Sequence, residues 1–251
     1  MSDRDRPDVI AHRGFAAEYP ENTLAAVRAA SRVADAIEVD VRRCGTGELV
    51  VFHDETLDRL TPMEGRVADT PCETLLELDI GGSGETIPTL EAVLEAIPAD
   101  RRLVLELKEP GLAGDVLALL DGSHELMISS FETRCLAEAH EVDSTVSTAY
   151  LVTDSRRNRT LRPMIPGLPR WVYFHEDVRG MIETATDLRC DAIHPRYELC
   201  LQTNLVTQAH AAGLRVDAWT IRSPREYRAL VDAGVYGVIS DVFRGIVDDA
   251  E

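Results

Sequence analysis

The sequence predicts a (β/α)8 barrel, the TIM-barrel fold, with a small insertion after the motif His53-Asp54. Three observations predict it. Eight short apolar runs alternate with helix-period segments. The length of 251 residues sits near the roughly 250 typical of this barrel. Ionisable residues gather at the C-terminal ends of the early runs, where such barrels place their chemistry. An open doubly wound sheet shares the alternation and remains the alternative at this level.

Residues 9–12 open the series of strands. Asn22 follows, and its side-chain oxygen is expected to cap a helix over 23–33 by accepting a free first-turn N–H. Residues 36–41 form the second run. A further run, 49–53, follows it through Cys44-Gly45-Thr46-Gly47-Glu48, too short for a parallel crossover, so the pair reads as a hairpin. A turn centred near Thr46-Gly47 sets His53 opposite Asp40. Residues 54–88 are rich in Thr, Gly, Pro and Asp and read as an insertion over one end of the barrel.

Leu90, Val93, Leu94 and Ile97 have helix spacing over 89–97. Strands at 103–108, 127–131, 146–152, 192–194, 215–220 and 237–240 then alternate with helices at 112–120, 132–141, 178–189, 203–212 and 224–233. Gly213 and Gly234 stand where C-terminal caps are needed. The Arg- and Pro-rich stretch 154–170 reads as a loop. The whole chain, 1–251, reads as one domain.

The charge count bounds the partners. Lys and Arg total 26 against 44 Asp and Glu, a net charge of −18. That argues against nucleic acid, whose binding rests on basic phosphate contacts, and against anionic membrane surfaces. The basic residues are 25 Arg and a single Lys, Lys108. An acidic, Lys-poor surface reads as that of a halophile's cytoplasmic protein; Arg-favouring base composition explains the missing Lys but not the acid excess. The five Cys lack any C-x-x-C spacing, so neither a disulfide framework nor a zinc site is expected. The polar N-terminus has no signal-peptide core, and no apolar run is long enough for stable membrane insertion. Oligomeric state is not predicted.

Glu38 and Asp40 are two apart on one run, so a strand points both carboxylates to one face; Glu106 and Lys108 repeat the spacing. Buried charges need partners or a metal. Three carboxylates with water suit a hard divalent cation, Mg2+ or Ca2+, and ion pairing at a barrel end is the alternative. His12 and His53 each end a run and suit acid/base work near neutral pH, with a structural hydrogen bond as the plainer use. Arg13 offers a fork suited to phosphate. In a chain that otherwise uses Arg, Lys108 suggests a compact charge beside an anion or metal.

The motifs HRGFAAEYPENT at 12–23, IEVDV at 37–41, HDETLDR at 53–59, IPTLEAVL at 87–94 and LELK at 105–108 occur in order. SSF at 129–131, HPRY at 194–197, AWT at 218–220 and GVYGVISD at 234–241 follow. The ordered set resembles the glycerophosphodiester phosphodiesterase family along nearly the whole chain. The resemblance implies a TIM barrel, a divalent cation at Glu38, Asp40 and Glu106, and His12 and His53 as the acid/base pair. It implies phosphate contacts at Arg13 and Lys108, a substrate-side aromatic at Trp219, and a small-molecule phosphodiester hydrolysed to glycerol phosphate and an alcohol. Arg222 stands near a position where the family often has Asn, which turns the expectation toward a more anionic head group. Rival readings are a phosphodiesterase or lyase acting on intact lipids, and a non-catalytic barrel that binds phosphate or metal. A metal hydrolase of the amidohydrolase type is disfavoured because no H-x-H pair follows the first strand.

Overall fold

A computed structural model of the chain describes residues 6–120, 122, 124–153 and 177–246. The predicted loop at 154–170 lies outside them. Eight strands run parallel: β1 (Asp8–His12), β2 (Ala36–Arg43), β4 (Arg102–Leu107), β5 (Leu126–Ser130), β6 (Ser147–Val152), β7 (Ala192–Pro195), β8 (Arg215–Ile221) and β9 (Gly237–Ser240). β1 pairs with β2 on one side and with β9 on the other, so the sheet closes and the open-sheet alternative falls. β3 (Leu49–Val51) pairs antiparallel with β2 as a hairpin arm.

The hairpin register differs by one residue from expectation. Val41 faces Val51 and Arg43 faces Leu49, and the Cys44 N–H donates to the Glu48 carbonyl at 3.0 Å. The turn therefore centres on Thr46, with Gly47 at φ 106°, as a three-residue loop with a positive-φ glycine requires. Phe52, not His53, lies opposite Asp40, and its N–H donates to the Asp40 carbonyl at 3.0 Å.

The helices are α1 (Leu24–Ala30), α2 (Cys72–Leu75), α3 (Leu90–Ala96), α4 (Ala113–Leu119), α5 (Thr133–Val142), α6 (Val178–Asp187), α7 (Tyr197–Gln202), α8 (Leu205–Ala211) and α9 (Pro224–Ala233). Thr23, not Asn22, caps α1: its hydroxyl accepts from the Ala26 N–H. Asn22 stands at φ 60° and turns its amide elsewhere. Ser223 caps α9 at its start, and Gly234 ends it at φ 76°. α7 was not anticipated; it follows β7 directly, through the HPRY segment.

Strand pleat divides the barrel residues. Val9, Val39, Leu105, Ile128, Ile193 and Val216 point outward into the layer shared with the helices. Ile10, Ala36, Val104, Met127, Ala149, Ala192 and Ile239 plug the interior. Their inward phase continues to His12, Glu38, Asp40 and Glu106, so period two carries the apolar plug into a polar layer at the strands' C-terminal ends. The segment after β3 has a small core of its own, in which Phe52, Leu57, Val67, Leu75, Ile80 and Ile87 pack together. Among the described residues, no helix is long and apolar enough to cross a membrane.

Candidate active site

The site begins where β1 ends. Arg13, Gly14 and Phe15 take positive φ in succession, at 52°, 77° and 68°. Gly14 is required there, because a Cβ would lie 2.6 Å from the Ala26 Cβ. The turn aims the Arg13 N–H at Glu38 Oε2, 2.9 Å away, and brings its guanidinium to Glu21 at 2.9 Å and Asp40 at 3.2 Å. Arg13 thus reaches the site already engaged by acids.

Glu38, Asp40 and Glu106 converge with carboxylate oxygens within 4.8 Å of one another. All three are buried. Asp40 is the best compensated. Lys108 Nζ lies 2.8 Å from its Oδ1, and Asn22 Nδ2 donates to its Oδ2 at 2.7 Å. Burial alone would raise the Asp40 pKa, but Lys108, Arg13 and His53 outweigh it and hold the carboxyl below its usual range. Glu38 goes the other way: burial, then Asp40 and Glu106, push it well up, and its Oε1 has no hydrogen-bond partner. Burial and Asp40 push Glu106 up to about 7, although Lys108 Nζ is 2.5 Å from its Oε1. Three clustered carboxylates with one orphaned buried oxygen are short of positive charge. That donor set, all oxygen, fits a hard divalent cation.

Lys108 lies one residue beyond β4 yet keeps the inward phase. Burial works to lower its pKa, and Asp40 and Glu106 together overcome that and raise it.

The two histidines flank this layer. His12 Nδ1 lies 2.5 Å from Asp241 Oδ1, and Arg222 Nε donates to the other Asp241 oxygen at 2.7 Å. His53 Nδ1 lies 2.6 Å from Asp54 Oδ1; Asp54 is bound by Arg59, which also reaches Glu21 at 2.8 Å. Burial dominates at His53 and lowers its pKa, with Lys108 and Arg13 adding to it and Asp40 and Asp54 opposing.

A cavity of about 530 Å³ opens over these groups, lined by His12, Arg13, Glu38, His53, Glu106 and Trp219 among others. Asp40 is fully buried, and Lys108 lines an adjoining cleft beside Arg42 and Ser130. Trp219 donates from Nε1 to the His194 carbonyl at 2.7 Å and meets Phe131 edge to face, with ring centroids 5.5 Å apart. The eight residues singled out from the sequence thus share one end of the barrel. Sequence reasoning missed Asp241, Asp54 and Arg59 as partners, Asn22 as a support for Asp40, and Phe131 and His194 as cavity walls. The motifs HDETLDR and GVYGVISD held the first three of these signals.

The profile of the "Glycerophosphoryl diester phosphodiesterase family" matches residues 12–244. A glycerophosphodiester phosphodiesterase of Caldanaerobacter subterraneus subsp. tengcongensis is 32% identical over 241 residues, covering 93% of each chain. An Oleispira antarctica phosphodiesterase, solved in complex with the product sn-glycerol-3-phosphate, superposes with a TM-score of 0.77 at 30% identity over 97% of each chain. A Thermotoga maritima glycerophosphodiester phosphodiesterase gives a TM-score of 0.77 at 26% identity over 98% of each chain. The match runs from the first barrel strand to beyond the last, so the chain belongs to the glycerophosphoryl diester phosphodiesterase family.

Proposed function

We propose that this chain is a phosphoric diester hydrolase that cleaves glycerophosphodiesters to glycerol phosphate and an alcohol, with a divalent cation and two histidines. The observation that carries the reading is the carboxylate layer with its orphaned Glu38 oxygen, set between two histidines that are each tied through Nδ1. Glu38, Asp40 and Glu106 would hold the cation, Mg2+ or Ca2+. When bound, it supplies Lewis-acid stabilisation of charge on the phosphate oxygens.

The protein's own groups do the rest. With a carboxylate accepting at Nδ1, each imidazole has its Nε2 left to take or give a proton. One Nε2 takes the proton of the attacking hydroxyl, and the other histidine, protonated, returns one to the departing alkoxide. Arg13 and Lys108 keep positive charge beside the phosphate site without needing to reorganise during reaction. Trp219 and Phe131 form an apolar wall for the glycerol carbons. The whole chain acts as one catalytic domain, with residues 54–88 as an inserted segment that carries Asp54 and Arg59.

The test is a panel of glycerophosphodiesters and intact phospholipids assayed with and without chelator. Hydrolysis of the water-soluble diesters, lost on chelation and restored by Mg2+ or Ca2+, is the expected result. Full turnover in excess chelator removes the metal from the proposal, and turnover of intact lipids alone replaces the substrate class.

A further inference from the structure

The chain holds a second convergence of ligand-type side chains, away from the carboxylate layer. Cys44 follows the end of β2, Glu48 lies across the hairpin turn, and Cys72 opens α2 in the inserted segment. Their ligand atoms lie within 4.8 Å of one another. Both thiols are buried and Glu48 is exposed, which gives the cluster a dry sulfur side and a solvent-facing oxygen side.

The backbone brings these groups together independently of the sulfurs. The Gly45 N–H donates to the Thr70 carbonyl at 2.8 Å, and a Cβ on Gly45 would lie 2.9 Å from the Asp69 carbonyl carbon. Only glycine permits so close an approach of hairpin and insertion. Thr46 completes the surroundings. Its hydroxyl donates to Glu48 Oε2 at 2.5 Å and accepts from the Cys72 N–H at 3.0 Å, and it lies 3.4 Å from Cys44 Sγ. The Cys44 thiol donates to Glu48 Oε2 at 3.1 Å.

We propose that Cys44, Cys72 and Glu48 form a second, sulfur-based metal site that takes a Zn2+-class ion and staples the inserted segment to the barrel. Two thiolates and a carboxylate are a Zn2+ donor set, and bonds of about 2.3 Å to sulfur and 2.0–2.2 Å to oxygen need only a small rearrangement of the cluster. A water, or the Thr46 hydroxyl, completes the tetrahedron. Burial, then Cys44 and Glu48, push the Cys72 thiol up to about 11. On binding, each S–H gives its proton to solvent, and two metal–sulfur bonds replace two S–H bonds without change of oxidation state. Donor softness separates the two sites: thiolates select Zn2+ or Cd2+, and the all-oxygen layer selects Mg2+ or Ca2+.

The full chain, reduced and stripped of metal, is titrated with Cd2+ in excess Mg2+, and the ultraviolet thiolate-to-cadmium charge-transfer band is followed. The expected result is a band saturating at one equivalent and displaced by Zn2+. Cys44→Ser and Cys72→Ser each abolish it, Cys135→Ser retains it, and Glu48→Gln lowers the affinity. Circular dichroism of each variant shows that it is folded. Alkylation of the wild type, mapped by mass spectrometry, supplies a reading that needs no variant: Zn2+ protects Cys44 and Cys72 together. The proposal is overturned by the lack of a stoichiometric band, by a band that survives Cys44→Ser, or by a Cys44–Cys72 disulfide in the purified protein.

Discussion

His12 and His53 are held by the same contact and by different parts of the molecule. Each offers Nδ1 to a carboxylate at about the same distance, 2.5 and 2.6 Å. His12 takes Asp241, 229 positions away in sequence, and only 12% and 8% of the two side chains is exposed. His53 takes its neighbour Asp54, with 33% and 23% exposed. The first contact exists because β1 and β9 close the barrel. The second is braced from outside, through Arg59 to Glu21. One imidazole is therefore positioned by the scaffold and the other by a surface network. Surface ion pairs are weak singly, so the His53 arm depends on the network acting together.

The comparison can be broken at several points. The largest effect belongs to the imidazoles themselves: His12→Ala and His53→Ala should each lower kcat by about 10²–10⁴-fold. Wild-type turnover in either would leave the other as the sole proton-transfer group. Lys108→Met tests the floor that both histidines share. Breaking a buried ion pair costs about 3–5 kcal/mol, so unfolding by urea should shift by that order without metal and by less in saturating Mg2+. An equal loss in both conditions would show that no cation substitutes for the ammonium.

A third test sets the carboxylates against each other. Asp241→Asn should cost more kcat than Asp54→Asn, because the His53–Asp54 pair is the more exposed and water can replace part of its contact; equal losses would erase the difference between scaffold and network. The smallest effect is in pH. Burial lowers the His53 pKa in the folded state, so the folded protein binds that proton more weakly than the unfolded chain does. Its share of stability is complete above the ordinary histidine value of about 6.5 and is lost as pH falls below it. The Asp54 hydrogen bond raises the His53 pKa, so Asp54→Asn should move its titration further down, as followed by NMR. An upward move would assign the control to other charges.

Much of the site was legible in the sequence because strands repeat every two residues. Glu38 with Asp40, and Glu106 with Lys108, follow from that period. Lys108 also stood out by composition, although it is bound to Asp40 and Glu106. Closure was not legible locally. Nothing in residues 9–12 points to Asp241, which becomes a neighbour only when the last strand meets the first. Asn22 misled because a residue type suited to capping serves here as a support for Asp40. The hairpin slipped by one because turn length, two residues or three, sets register, and the glycines in Gly45-Thr46-Gly47 allow either. α7 has six residues, too few to show a period.

The solitary lysine has a practical consequence. A lysine-specific protease finds one target bond in the chain, Lys108–Glu109, between β4 and α4. That bond is guarded while the protein is folded. The Lys108 side chain is 8% exposed, its N–H donates to the Val41 carbonyl at 3.2 Å, and Glu109 accepts from the Arg43 N–H at 3.0 Å. Cleavage must wait for the barrel to open, and when opening and closing are fast its rate follows the open population. The cut yields two fragments, 1–108 and 109–251, so one gel band lost and two gained would report the opening of the barrel where β4 meets β2.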